Sequence, residues 1–353
     1  MALPETFVRE FHDEHSVRKM KYIPLGNTGL KLSELSFGCG PLGGKTTYGA
    51  YDEEEGKLAV KMAIQKGINY LDTAPAYGQG HSEEVLGQAL VGIPRNAYYV
   101  STKVSRYGND WDDMFDRSAS AVNAGFELSL RSLGLNYVDI LFVHDVEFGP
   151  IDQILTETLP AVKKLQDEGK VKHIGISGYP LDVLKDIKER STVPIDVVLS
   201  YSRELIFDHT LQEFIPFFQQ NKMGIVNAAL TGMGILTRKG PPSWHPADSK
   251  LKELCRQATN YADEKGTDIA KLGIAHSLKQ SGCHSNLVGM SSLAELDKNL
   301  DVYFNGLNEN EERVLNEIKD KFFSEEKNYH WEGKEIESYL SFKKMQRKCT
   351  ITV

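Results

Sequence analysis

The sequence predicts an α/β fold, a (β/α)8 TIM barrel with an N-terminal β-hairpin capping the barrel bottom. Three observations predict it. Short apolar runs alternate eight times with amphipathic stretches from about Leu35 onward. Most of those runs are apolar on both faces, as parallel strands buried between a barrel interior and a helical layer must be. Several stop abruptly at a polar residue, which is how strand ends read at the mouth of a barrel.

Taken in chain order, Tyr22–Leu25, the turn Gly26-Asn27-Thr28-Gly29 and Leu30–Leu32 form the hairpin. Strand Leu35–Gly38 precedes a helix over Glu53–Lys66, where Leu58, Ala59, Met62 and Ala63 make one stripe. Ile68–Asp72 precedes Glu83–Leu90, and Tyr98–Lys103 precedes Arg117–Leu133. Tyr137–His144 precedes Ile154–Glu168, and Val171–Ser177 precedes Leu181–Glu189. Ile195–Ser200 precedes Leu211–Asn221. Gly224–Ala228 leads through a long loop to helices near Lys250–Lys265 and Asp268–Gln280, and Asn286–Gly289 precedes Leu293–Phe304. Eight such units close most simply into a barrel. An open doubly wound sheet would want a Gly-x-Gly-x-x-Gly turn after its first strand, and Gly38-Cys39-Gly40-Pro41-Leu42-Gly43-Gly44 does not open onto a helix. The predicted division is an N-terminal arm over 1–19, the barrel over 20–322, and a charged tail over 323–353. Both arms read as surface segments, and Ile351-Thr352-Val353 as an ordinary apolar end.

Composition narrows the function. The chain has 353 residues, 41% hydrophobic and 25% charged, which is ordinary globular usage. A net charge of −8 without a basic block argues against nucleic acid as a partner. No run of about 18 apolar residues predicts a membrane span. The polar start shows no apolar signal region, and Cys39, Cys255, Cys283 and Cys349 are far apart, so free thiols in a reducing cytosol are expected.

Asp72, Lys103 and His144 end three consecutive strands, and Tyr77 follows in the loop after Asp72. A lysine ammonium beside a phenol favours the phenolate, and a carboxylate beside that lysine keeps it charged and in place. An imidazole can hydrogen-bond a carbonyl or hydroxyl oxygen. Together they make a tyrosine general acid/base, suited to moving a proton while a hydride moves at the same carbon. A metal hydrolase would want His-x-His on the first strand, which reads Phe37-Gly38-Cys39-Gly40, and no metal is expected. Gly175-Ile176-Ser177-Gly178 misses the spacing of a serine nucleophile elbow.

These segments resemble the aldo-keto reductase superfamily: LGNTGLKLSELSFGCGPLGG, INYLDTAPAYGQGHSEEVLGQAL, STKVSRYG and SLGLNYVDILFVHDVEFG, over about Tyr22 to Phe304. Within it, the stretches His144–Leu184, Gly240–Lys252 and Leu287–Leu300 resemble plant-type L-galactose dehydrogenases and related aldose 1-dehydrogenases. The resemblance implies that Asp72, Tyr77, Lys103 and His144 are the catalytic tetrad. It also implies NAD- or NADP-linked oxidation of an L-galactose-like aldose at C1 to a lactone, with Tyr77 as base. Ser177, Ser200, Gly289, Met290, Ser291, Ser292, Glu295 and Asn299 fall where relatives hold the cofactor, although Gly178 and the Val198–Tyr201 stretch depart from the usual amide-binding residues. Trp244 and His245 are candidates for the sugar wall. No basic residue precedes Lys298 after the eighth strand, and Glu295 would repel a 2′-phosphate, so NAD is expected over NADP. Two other readings within this superfamily are an NADPH-dependent reductase of aldehydes or ketones and a non-catalytic, cofactor-sensing partner subunit. A small-molecule sugar or carbonyl partner and a monomer or weak homo-oligomer complete the expectation.

Overall fold

The computed structural model describes residues 3–108, 110–323 and 328–350, with the side chains of 346–350 excepted. The predicted apolar end at 351–353 lies outside the described residues. A short helix α1 (Glu14–Lys19) leads into the hairpin β1 (Tyr22–Pro24) and β2 (Lys31–Ser33). Eight barrel strands follow: β3 (Leu35–Gly38), β4 (Tyr70–Asp72), β5 (Tyr99–Val104), β6 (Val138–Val143), β7 (Val171–Gly178), β8 (Val197–Tyr201), β9 (Gly224–Ala228) and β10 (Ser285–Gly289). They close in chain order, all parallel, with β10 returning to β3.

The helical layer comprises α2 (Glu53–Gln65), α3 (His81–Ala89) and α4 (Ala119–Leu133), then α5 (Ile151–Gln153) running through a π turn into α6 (Leu159–Asp167). It continues with α7 (Leu181–Arg190), α8 (Thr210–Gln220), α9 (Ser249–Glu264), α10 (Ile269–Lys279) and α11 (Leu293–Asn305). Beyond α11 come α12 (Glu309–Phe322) and α13 (Lys334–Thr350). Asp52, Ser118, Asp248, Asp268, Ser292 and Asn308 each accept a first-turn N–H, which fixes where six of these helices begin.

Side chains alternate between two cores. Tyr70, Ile140, Phe142, Val197, Leu199, Val226 and Leu287 point to the barrel axis, and Leu25 and Leu32 of the hairpin seal them from below. A Cβ on Gly175 would stand 2.3 Å from the Phe142 ring, so that strand position must be glycine for Phe142 to fill the axis. Leu71, Val100, Leu141, Ile176 and Val198 face outward against the helices. Among the described residues, no helix is long and apolar enough to cross a membrane.

Both terminal segments differ from surface arms. In the N-terminal arm Val17 is buried, and Asn69 Nδ2 donates to Thr6 Oγ1 at 3.1 Å and to Lys31 O at 2.9 Å, tying arm, hairpin and β4 together. The C-terminal segment runs back over the mouth. Trp331 is 2% exposed, stacked on Tyr179 at 5.0 Å and edge-on to His245 at 4.7 Å. Tyr339 meets Phe115 and Phe148 edge-on at 5.6 and 5.8 Å. The segment is charged on average, but its aromatics bury far more apolar area each than its charges can keep in water.

Candidate active site

Strand alternation delivers the four groups. Asp72 shares the axis-facing row of Tyr70, Lys103 that of Ser101, and His144 that of Ile140 and Phe142, so all three rise at the C-terminal end of adjacent strands. Lys103 Nζ donates to Asp72 Oδ2 at 2.6 Å, to Thr73 O at 2.8 Å and to the Tyr77 hydroxyl at 3.1 Å. Ser101 Oγ donates to Asp72 Oδ1 at 2.6 Å and lies 2.8 Å from the Tyr70 hydroxyl, which leaves Tyr70 as the donor in that pair. Tyr77 and His144 meet edge to face at 5.9 Å.

The loop carrying Tyr77 is set by close backbone packing. Gly78 has φ +68°, and a Cβ there would come within 2.3 Å of Gly43 O. A Cβ on Gly43 would in turn strike the Tyr77 carbonyl carbon at 2.7 Å. Two glycines therefore let the loops after β3 and β4 touch, and Ser82 Oγ, donating to Cys39 O at 2.7 Å, holds them there. Past the strand ends Ser105, Asp145, Ser202 and Ala229 all have φ between 45° and 76°, unusual conformations gathered around the mouth.

Burial governs the electrostatics. It alone would lower the Lys103 pKa, but Asp72 and then Tyr77 outweigh it and hold the ammonium charged. Burial pushes the Tyr77 phenol above its ordinary value of 10, with Lys103 opposing. This differs from the sequence expectation of a lowered phenol, because desolvation of the phenolate exceeds the attraction of one shared lysine. Burial likewise takes His144 down to about 3, so its imidazole is neutral; Asp145 opposes, and Lys103, Arg106 and Arg117 add to the lowering. His144 Nδ1 is buried without a hydrogen-bond partner in the protein. Burial alone would raise the Asp145 carboxyl, but His144 and then the paired Arg106 outweigh it and hold it below the usual range.

The expected cofactor residues divide. Ser177 is buried on the axis face, with its Oγ only 3.5 Å from Val143 O. Ser200 shares the outward face of Val198 and its Oγ has no partner; the residue at the end of β8 that faces the axis is Tyr201. Gly289 closes β10, Met290 is buried, and Ser292 caps α11 by accepting from Glu295 N. Glu295 Oε2 accepts from Ser291 N at 2.7 Å, and Asn299 is buried within α11. Sequence reasoning misses Glu55, which reaches from α2 to accept from Leu293 N at 3.1 Å. Lys298 is tied to Asp268. The uncommitted His144 Nδ1 suits a polar ring amide at this end of the barrel.

The proposed sugar wall also divides. Trp244 is 44% exposed, donates from Nε1 to Thr47 O at 2.9 Å and meets Tyr48 edge-on. Tyr48 and Tyr77 both flank Gly40, so the indole continues a wall that begins at the tetrad. His245 has both ring nitrogens engaged, with Gly232 O and with Ala247 N, and anchors its loop. Tyr48, Ser101 and Trp331 are the contributors that the sequence pattern leaves unmarked. For Ser101 a signal exists, since it stands two residues before Lys103 on the same strand face.

Comparison with known proteins accords with this geometry. The aldo/keto reductase family model matches residues 34–320. The chain is 42% identical over 287 residues to L-galactose dehydrogenase of Arabidopsis thaliana, covering 80% of this chain and 88% of that one. It is 31% identical over 313 residues to D-arabinose 1-dehydrogenase of Saccharomyces cerevisiae, covering 82% and 92%. A solved aldo-keto reductase of Bacillus halodurans, in its holo form, superposes with a TM-score of 0.65 at 26% identity, covering 87% of this chain and 98% of that one. With a closed eight-stranded barrel and a family match over most of its length, the chain belongs to the aldo/keto reductase family and is a nicotinamide-dependent oxidoreductase.

Proposed function

We propose that this chain oxidises an aldose of the L-galactose type at its anomeric carbon, yielding the lactone, with NAD as the preferred acceptor. The observation that carries the chemistry is the Tyr77 hydroxyl held 3.1 Å from the Lys103 ammonium and edge-on to a neutral His144. The sugar class is supported by the similarity to two aldose dehydrogenases.

In this reading Tyr77 takes the proton of the C1 hydroxyl. Lys103 stabilises the phenolate form that accepts this proton and becomes the neutral phenol, and Asp72, itself fixed by Ser101, keeps Lys103 in place. The uncharged His144 supplies a hydrogen bond that orients the hydroxyl without competing for its proton. A bound nicotinamide supplies the hydride acceptor. Ser177 and His144 would line its ring site, with the residues from Gly289 to Asn299 holding the adenosine end.

The preference for NAD is supported by two carboxylates at the start of α11. Glu55 and Glu295 occupy the N–H groups of Leu293 and Ser291, which an anionic 2′-phosphate would need, and Lys298 is already paired with Asp268.

The test is reduction of NAD or NADP followed by absorbance, with L-galactose, D-arabinose and simple aldehydes as substrates. Sugar-dependent reduction of NAD is expected. Aldehyde reduction with NADPH and no sugar oxidation would overturn the reading. Tyr77→Phe is expected to lower kcat by ~10²–10⁴-fold, the usual contribution of a general acid/base, with the Kd for NAD unchanged.

A further inference from the structure

We propose that Glu204, His209 and His276 form a binding site for a divalent transition-metal ion of the zinc type, separate from the tetrad. One ligand atom from each lies within 4.8 Å of the other two. Tetrahedral zinc with bonds of ~2.1 Å sets its ligands roughly 3.4 Å apart, so small side-chain rotations close the set. The sequence does not show this grouping, because the three residues come from different parts of the fold. Glu204 lies in the loop after β8, His209 precedes α8, and His276 sits in the last turn of α10.

The donor set has the right chemistry. Glu204 is fully buried, and no lysine or arginine among the described residues pairs with it. A buried carboxylate whose partners are an imidazole and an amide has no permanent cation beside it, and a metal ion is its natural complement. Its Oε1 lies 2.8 Å from His209 Nδ1, while Gln212 Nε2 donates to Oε2 at 2.7 Å and orients the group. The His209 and His276 rings approach to 5.1 Å between centroids. The His209 side chain is 33% exposed, giving an ion a path from solvent and leaving a fourth position for water. Two imidazoles and one carboxylate select zinc-like ions over magnesium or calcium.

The consequence is structural. The site joins the β8 loop to α8 and α10, where Ser277 Oγ already donates to Glu204 O at 2.8 Å. The adjacent Arg203 lies 4.7 Å over the Tyr179 ring and pairs with Glu332 at 3.0 Å, so the clamped loop is also the seat of the C-terminal segment.

The full chain, stripped with chelator and desalted, is titrated with Zn²⁺ by calorimetry and melted with and without the ion. Co²⁺ serves as an optical probe of four-coordinate binding. One Zn²⁺ per chain at micromolar affinity or tighter and a raised Tm are expected. His209→Ala and His276→Gln should each weaken binding by at least ~100-fold, and Gln212→Ala by about tenfold. Since none of the three touches the tetrad, kcat of the His209→Ala variant should match wild type. Absence of Zn²⁺ binding by the wild-type chain overturns the proposal. So does binding that survives His209→Ala, or that is lost in His12→Ala instead. If His276→Gln fails to fold, His209→Ala decides alone, because its partly exposed ring lies at the edge of the packing.

Discussion

Tyr77 is a weak base at neutral pH because burial holds its proton, and among the described residues the cation that touches it is Lys103. The rate of oxidation is therefore expected to rise toward alkaline pH, since the phenol must lose its proton before it can take another. Lys103→Met removes the one interaction that favours the phenolate, so the rising limb of kcat/KM should move to higher pH while kcat falls. A limb that stays in place would show that Lys103 does not set the ionisation of Tyr77. Ser101→Ala tests the next link outward. It takes one hydrogen bond from a charged carboxylate, worth ~1.5–3 kcal/mol, and should lower kcat by roughly tenfold or more with KM little changed.

At the scale of elements, α11 and α2 meet at the carboxylates Glu55 and Glu295. Replacing Glu55 with Gln and Glu295 with Arg removes two negative charges and adds a bidentate donor for phosphate. Efficiency with NADP should rise at least ~10-fold relative to NAD, about 1.4 kcal/mol of altered preference, by comparison of kcat/KM for the two cofactors. Strand ends are where the chain was most legible. Asp72, Lys103 and His144 each stop an apolar run, and a period of two fixes which face they share with the residues before them. Ser200 shows the limit of that reading: β8 extends to Tyr201, and one residue of difference turns a side chain to the opposite face. Glu55 and Tyr48 are invisible for another reason. Their partners lie far along the chain, and nothing in the local pattern of α2 or of the loop after β3 marks them.

For the whole molecule, the tail is the part that average composition conceals. Its charges read as solvated, yet Trp331 is buried among Tyr179, His245 and the mouth. Trp331→Ala is expected to destabilise the protein by ~3–5 kcal/mol and to raise KM for the sugar while the Kd for NAD holds. Beneath the tail, burial and then Asp145 push Glu147 up to about 8, and burial raises Glu335 to about 7. These are raised carboxyl values, so the unfolded chain loses its protons first, near 4.5, and folding stability falls as pH climbs from there through about 8. Glu147→Gln keeps the shape without the charge. Its Tm should exceed wild type at pH 8 and match it near pH 4, and equal Tm values at both would refute the shift.

The position of that tail also orders the birth of the molecule. Synthesis runs from the N-terminus, so the barrel and its hairpin emerge from the ribosome before residue 328 does. Until the last stretch of chain arrives, Tyr179 and the Phe115–Phe148 stack stand uncovered at one rim, a sticky surface on an otherwise finished body. A premature stop or a clipped C-terminus would leave the chain in that state. The tetrad would be intact, but the molecule would be prone to self-association.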